Sequence, residues 1–545
     1  MSLKDDLHKF FTGEIVDDEK TLELFSTDAS IFKIKPKIIA YPQNSEDIEN
    51  LVNYITKNPT KKLFITPRSA GTCMSGGAIG ESIILEMTNY FNRIKKFGED
   101  YVVVQPGVFY RDFEKATLEK DLLLPCFTAS RELNTVGGMV GNNSAGEQTL
   151  SFGQTERYVK ALKVVLADGK EYEIKPLNKA ELDKKMAQKD FEGKIYREIY
   201  NLIEDNYELI KEAKPKVSKN SSGYLLWKVW DHETFDLTKI FTGSQGTLGV
   251  VTEITFHLVK PKHNKVLLAM NLNKIDNLDQ IVNQVLEFHP ESFECYDDQT
   301  LGYAVRFLKE ISEKFKLNSK AEVYKSFIPE IIYKWFNALP KLVLLANFAS
   351  TDKNAALKQA GETQKSLAKF NLKSKIIDND KEAEKYWVIR HESFSLLRHH
   401  ALHMRSAPFI DDIIVKPEKL PEFLPKLNTL ISKYQNKMIY TVAGHIGDGN
   451  FHIIPLMDFT KEDVRAIVPE LSKEVFDLVF EYGGSMSAEH NDGLMRGPYL
   501  EKMFGENIYQ LFKEVKQIFD PNNIFNPHKK IDATFEYSLA HMSKS

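Results

Sequence analysis

The stretch Pro67 to Gly80, PRSAGTCMSGGAIG, constrains the chain more than any other: it sets four glycines, two serines, a threonine and one arginine between two apolar runs. Leu63 to Thr66 and Ile83 to Leu85 read as strands, so the segment between them is a polar loop that exposes backbone N–H groups. Such a loop cradles an anion, and its glycines let the backbone approach closely. No lysine follows the glycines in P-loop register and no G-x-G-x-x-G opens a helix, so neither of those phosphate sites is encoded. Thr135 to Gly146, TVGGMVGNNSAG, and Phe241 to Gly249, FTGSQGTLG, repeat the recipe. Each alone is equally a surface loop, but three in one chain ask for a common reason.

The pattern around the loops is mixed. Ser45 as N-cap, Glu46 and Asp47 in the first turn, and Ile48, Leu51, Val52 and Ile55 on one face predict a helix. Tyr101 to Val104 reads as a strand stopped by Pro106-Gly107, and Phe109, Phe113 and Leu118 fit a short helix. Ala161 to Leu166, the Asp168-Gly169 turn and Glu171 to Ile174 predict a hairpin, and Val250 to Leu258 alternates as a half-buried strand does. Residues 1 to 35 read as small helices, and 180 to 216 as a charged helical insertion.

Pro261 marks a boundary. Beyond it, strands at Val266 to Met270, Ser292 to Tyr296, Leu342 to Phe348 and Leu372 to Ile377 alternate with helical patterns, which predicts a sheet with helices on one face. A chain of 545 residues exceeds one core and is expected to form two major domains. The net charge of −4 offers no basic excess for nucleic acid. Cys73, Cys126 and Cys295 are isolated, which excludes a disulfide framework and a four-thiolate cluster. The N-terminus lacks a secretory core and no apolar run approaches membrane-spanning length, so the expectation is a cytoplasmic protein, soluble or peripheral to the inner membrane.

The chemistry concentrates in Gly444-His445-Ile446-Gly447-Asp448-Gly449-Asn450-Phe451-His452, where two histidines flank a glycine-rich bend. Ser487-Ala488-Glu489-His490 offers a carboxylate beside another histidine, and two imidazoles plus a carboxylate suit Zn²⁺, Mn²⁺ or Fe²⁺. The competing reading is two core histidines and a surface Glu. Arg390, in Tyr386-Trp387-Val388-Ile389-Arg390, is a candidate carboxylate clamp, or else an ion pair with Glu382, Glu384 or Glu392. His399, His400 and His403 could hold a second metal or simply face solvent.

The order of the three loops resembles the flavin-binding domain of the vanillyl-alcohol oxidase (PCMH-type) family, most specifically its D-lactate, glycolate and D-2-hydroxyglutarate dehydrogenase branch. The likeness covers nearly the whole chain. It implies an α+β fold: a PCMH-type FAD-binding domain of two α+β subdomains over 36–262, then a cap domain with an antiparallel sheet, of the FAD-linked oxidase C-terminal type, over 263–517. A helical segment precedes them at 1–35, and 518–545, with Ile518 to Pro527, returns to the FAD domain. The resemblance assigns cofactor contacts to Arg68, Ser69, Ala70, Gly71, Thr72, Ser75, Gly76, Thr135, Gly137, Gly138, Gly141, Asn143, Ser144, Gly146, Gly246, Gly249 and Val250. It also places Lys219 to Tyr224 near the flavin, a run that reads equally as a capped helix start. Metal ligation falls to His445, His452 and Glu489, base catalysis to His490 and carboxylate binding to Arg390. Asn491-Asp492-Gly493 departs from the glycine that usually follows that histidine.

The expected function is therefore FAD-dependent oxidation of a small D-2-hydroxy acid by hydride transfer to a non-covalent flavin, since the loops carry no histidine. D-lactate is favoured over D-2-hydroxyglutarate and glycolate because Ile410, Ile453 and Ile454 stand where dicarboxylate users place polar residues. A non-catalytic flavin-binding subunit keeps the flavin half and loses the metal half, whereas this chain has both. An alkyl transferase of the superfamily has a run of histidines where Glu489-His490 stands. The acceptor is expected to be a quinone, a cytochrome or an electron-transfer flavoprotein, and the assembly a possible homodimer.

Overall fold

The computed structural model describes residues 2–336, 338–401 and 404–544, apart from the side chains of 393, 394, 396 and 397. The class is α+β. Strands β1 (Glu14–Val16), β2 (Ile38–Tyr41), β3 (Ile65–Arg68) and β4 (Ile83–Glu86) form a sheet ordered β1-β2-β4-β3, with β2, β4 and β3 parallel and β1 antiparallel at its edge. The N-terminal segment is thus not wholly helical, because β1 lies between the short helices Leu3–Leu7 and Glu19–Leu24. Helix Ser45–Lys57 covers this sheet, burying Ile48, Leu51, Val52 and Ile55 against Ile38, Ile65 and Leu85. Its cap is Asn44, one residue earlier than expected: the Asn44 side chain accepts from the Asp47 amide at 3.0 Å.

The second sheet is antiparallel. It contains β5 (Ile94–Phe97), β6 (Tyr101–Val104), β7 (Val159–Val165), β8 (Glu171–Ile174) and β9 (Val250–His257) in the order β5-β6-β9-β7-β8. Every second residue of β9 is buried, as its alternation requires. Helices Lys179–Met186, Phe191–Asp205 and Tyr207–Glu212 occupy the insertion, and the middle one packs against helix Glu506–Phe519, so the insertion braces the C-terminal part of the chain.

The third sheet has seven antiparallel strands: β10 (Asn264–Leu272), β11 (Ser292–Asp297), β12 (Leu342–Ser350), β13 (Lys373–Ile377), β14 (Ile413–Ile414), β15 (Val442–His445) and β16 (Asn450–Ile453). Their order is β13-β10-β12-β11-β15-β16-β14. Helices cover both faces and not one. Val266, Leu268 and Met270 pack towards helices Leu278–Leu286 and Lys353–Ser366, while Leu267 and Ala269 pack with Leu301, Ile311 and Val323 on the other side. An unbroken apolar run such as Val266 to Met270 is what two covered faces demand.

The C-terminal segment closes on the first sheet. The Ile65 amide donates to Ile524 O and the Asn526 amide to Ile65 O, each at 2.8 Å. The Asn526 amide group donates to Gly77 O at 2.9 Å and Gln245 O at 2.8 Å, which ties the first and third glycine loops together.

Candidate functional site

A cavity of about 730 Å³ is walled by all three glycine loops at one end and by Arg390, His445, His452, Glu489 and His490 at the other. Of the expected cofactor contacts, Arg68 to Thr72, Thr135, Gly137, Gly138, Gly141, Ser144, Gly246, Gly249 and Val250 are on its wall. Ser75, Gly76, Asn143 and Gly146 are not; they build the loops from behind. Ser75 Oγ donates to His490 O at 3.2 Å, Gly76 packs under Phe32 and Leu494, Asn143 takes the Glu156 amide at 3.0 Å, and Gly146 abuts the Phe127 carbonyl. Gln245, absent from the expected set, stitches the loops: its amide donates to Ser75 Oγ at 3.1 Å and Asn142 Oδ1 at 3.2 Å, and its carbonyl accepts from Gly493 N at 2.8 Å.

These walls fit a dinucleotide. The loops bring no carboxylate to repel a diphosphate. Arg68 does not reach out as a free cation, since its guanidinium donates to the carbonyls of Phe25, Thr27 and Ala78 and so braces the first loop. Gly137 meets the Pro106 carbonyl, donating to it at 2.9 Å, and a Cβ there would lie 2.6 Å from that oxygen and overlap the proline ring. Gly137→Ala should therefore shift the second loop and weaken flavin retention about tenfold or more, equivalent to ~1.4 kcal/mol. The flavin absorbance of the purified protein, with circular dichroism to check the fold, measures it; full flavin content would refute it.

At the other end, His445 closes β15 and His452 sits in the paired β16. The bend between them depends on Gly449, at φ 72°, where a Cβ would overlap the Val415 carbonyl. The two imidazole centroids are 5.1 Å apart. His445 Nε2 is 3.2 Å and His452 Nε2 4.0 Å from the Glu489 carboxylate, and ligand atoms of the three residues fall within 4.8 Å of one another. The remaining ring nitrogens face carboxylates: His445 Nδ1 is 2.6 Å from Glu294 Oε1, and His452 Nδ1 is 3.3 Å from Asp411 Oδ1. Carboxylates behind imidazoles in this way leave both Nε2 atoms directed at one point, and the donor set fits a divalent ion. Burial disfavours the charged form of His445, but the carboxylates of Glu294 and Glu489 together lift the imidazole to about 9.

The adjacent acids Asp411 and Asp412 organise the segment around His490. Asp412 Oδ2 accepts from Ser487 Oγ at 2.8 Å, the Glu489 amide at 2.8 Å and the His490 amide at 2.7 Å, fixing the segment that carries Glu489 and His490. Asp411 Oδ2 lies 2.8 Å from His490 Nδ1. Burial again disfavours the imidazolium, yet Asp412 and Asp411 push His490 up to about 9. A cation held by His445, His452 and Glu489 acts on His490 in the opposite sense. Asn491 adopts φ 64°, a left-handed conformation that asparagine tolerates.

Arg390 lies on the cavity wall and pairs with none of the three glutamates expected of it. Its Nε and Nη2 donate to Glu294 Oε2 at 3.1 and 3.0 Å, so Glu294 holds both the arginine and His445. Glu382 pairs with Lys375, Glu384 accepts from the Lys316 amide and Glu392 lies near Lys314. The run from Lys219 is no helix start. Lys219 is 1% exposed, donates to Glu489 Oε1 at 2.6 Å and lies 3.3 Å from Asp448 Oδ2. His400 stacks on Phe307 at 4.1 Å and faces Glu310 at 3.5 Å; His403 lies outside the described residues, and among the described ones no metal-capable cluster includes His399 or His400.

Glu294, Asp411, Asp412 and Lys219 were not anticipated in these roles. The signal for the acids was present as charge inside apolar runs, Phe293-Glu294-Cys295 and Phe409-Ile410-Asp411-Asp412-Ile413-Ile414. Burial without a partner would be prohibitive there, so each needs a cation or several donors.

Comparison with known proteins bears on the family and the fold. The FAD binding domain model matches residues 36–175, and the model for FAD linked oxidases, C-terminal domain, matches 260–530. The chain is 25% identical over 530 residues to a D-2-hydroxyglutarate dehydrogenase of Pseudomonas putida, covering 95% of this chain and 50% of that protein, so it spans about half the length of such relatives. It is 26% identical to glycolate oxidase subunit GlcD of Bacillus subtilis, covering 97% of this chain and 96% of the relative, and 24% identical to a D-lactate dehydrogenase of Anaerostipes hadrus, covering 94% of each. Among solved structures, 4-ethylphenol oxidase from Gulosibacter chungangensis superposes with a TM-score of 0.68 at 14% identity over 96% of this chain and 95% of its own. Alkyldihydroxyacetonephosphate synthase does so with 0.64 at 16% over 96% and 84%. At these identities the structures share the fold alone.

Proposed function

We propose that this chain, a member of the FAD-binding flavoprotein family that carries the FAD-linked oxidase C-terminal domain, is an FAD-dependent dehydrogenase converting a small D-2-hydroxy acid to its 2-oxo acid. The observation that carries the reading is the single cavity that joins three glycine loops to Arg390, His445, His452, Glu489 and His490. Bound at the loops, FAD supplies a two-electron acceptor; a divalent ion, for which His445, His452 and Glu489 are the holders, supplies a Lewis acid that makes a hydroxyl easier to deprotonate. Arg390 binds the substrate carboxylate through the guanidinium edge that Glu294 leaves free, and Glu294 keeps that edge in register with His445. His490 accepts the hydroxyl proton at Nε2, because Nδ1 is turned towards Asp411. The electron acceptor in this reading is a quinone, a cytochrome or an electron-transfer flavoprotein.

A substrate with one carboxylate is favoured. Among the described residues on the wall the only arginines or lysines are Arg68 and Arg390, and Arg68 is taken up by carbonyls. The same wall also carries Thr300, Thr441, Ala443 and Ile454, which suit a methyl or hydroxyl group, and His391, whose Nε2 lies 3.3 Å from Glu147 Oε2 and so already faces a carboxylate. The relatives named for D-2-hydroxyglutarate support a second reading, the dicarboxylate. Anaerobic mixing with D- and L-2-hydroxy acids, followed by flavin bleaching, separates the two. D-lactate or another short D-monocarboxylate should bleach at concentrations at least about tenfold below D-2-hydroxyglutarate, a gap of ~1.4 kcal/mol. The reverse order selects the dicarboxylate, and no bleaching by any of them removes the proposal.

A further inference from the structure

Helix Ile328–Trp335 has its amphipathicity reversed. Ile328, Ile331, Ile332 and Trp335 follow the i, i+3, i+4, i+7 spacing of one face, and all four are exposed, Trp335 by 88% and the following Phe336 by 78%. The polar side chains turn the other way. Glu330 pairs with Lys385 at 2.7 Å with both side chains largely buried, and Lys334 Nζ donates to Gly302 O at 2.5 Å. A surface helix ordinarily lays its apolar stripe on the body of the protein and offers its charges to water. Here the charges are satisfied by the protein, so the outward stripe is left to meet another apolar phase. Tyr324, from the preceding helix, adds a further exposed ring.

We infer that this face is a membrane-docking surface whose occupant is an anionic phospholipid bilayer. The surrounding charge selects that occupant. Residues 306–341 carry eight lysines and arginines against four glutamates, a local +4 in a chain whose net charge is −4. Lys334 and Glu330 turn inwards and Lys314, Lys320 and Lys341 pair with acids, and the segment keeps its positive excess; an aliphatic stripe with an indole at one end in a lysine-rich segment is what lets a helix lie in the headgroup boundary of such a bilayer. Among the described residues no helix is long and apolar enough to cross a membrane, so the contact is peripheral. The helix packs on Asp298–Arg306, whose Thr300 lines the main cavity, so docking would set the cap side of that cavity near the lipid.

The test is flotation of the flavin-loaded full chain with vesicles of phosphatidylcholine containing phosphatidylglycerol, against phosphatidylcholine alone. The expected result is binding to the anionic vesicles only, weakened by salt, with a blue shift of tryptophan fluorescence. The paired substitution Ile331→Ser with Trp335→Ser should lower the bound fraction at least about tenfold and remove the shift while flavin content stays unchanged. Absence of wild-type binding, or equal binding by the variant, overturns the inference. So does a wild-type dimer in light scattering that the variant converts to monomer without any lipid effect, which would assign the face to a second copy of the chain.

Discussion

His490→Ala is expected to lower turnover on the order of 10²–10⁴-fold while the protein stays yellow and folded. The imidazole lines the cavity but does not hold the glycine loops: its backbone amide, not its ring, is tied to Asp412, at 2.7 Å. Truncating the ring leaves the clamp on Ser487, Glu489 and residue 490 intact, so flavin content and metal affinity should barely change. The loss should fall on kcat more than on KM, because in the proposed reaction the proton moves only in the reacting complex and Arg390 anchors the substrate. Single-turnover flavin reduction under anaerobic conditions reads the step directly. Wild-type reduction rates in the variant would remove His490 from the chemistry and pass the proton to another group on the same wall.

The parts of this molecule that were legible in its sequence are those whose signal is local. The glycine loops, the hairpin at residues 161–174 and the alternation of β9 each arise from neighbours in the chain. The pair of histidines around Gly449 belongs with them, since a bend of a few residues brings both rings together. What escaped is the set of charges that meets only on folding. Glu294 reaches His445 across 151 positions and Lys219 reaches Glu489 across 270, and no periodicity records such a pairing. Arg390 shows the same limit: three glutamates lay close to it in sequence, and the fold paired it with a fourth from a neighbouring strand. The second covered face of the seven-stranded sheet was readable in principle, because Val266 to Met270 has no polar alternate.

Lys219→Met should destabilise the chain by about 3–5 kcal/mol, the usual consequence of removing one partner of a buried ion pair. The ammonium is 1% exposed and is shared by Glu489 Oε1 at 2.6 Å and Asp448 Oδ2 at 3.3 Å. Burial opposes its charge, yet Asp448 and Glu489 outweigh that opposition and raise its pKa above the usual lysine value. Without it, two buried carboxylates lose the ammonium they share, and Glu489 keeps the His445 imidazole at 3.2 Å. The same oxygen, Glu489 Oε1, is one that a divalent ion would use, so ammonium and metal repel one another across it. The variant should then gain more stability from added Zn²⁺ or Mn²⁺ than the wild type does, since the stabilisation by a metal bound to the folded state grows with the logarithm of its affinity there. Thermal unfolding with and without metal, run on both proteins, checks the pair of effects, and Lys219→Gln serves if the methionine variant does not accumulate. Unchanged stability together with an unchanged metal response would show that neither carboxylate depends on Lys219 and that the ammonium does not compete with an ion at Glu489.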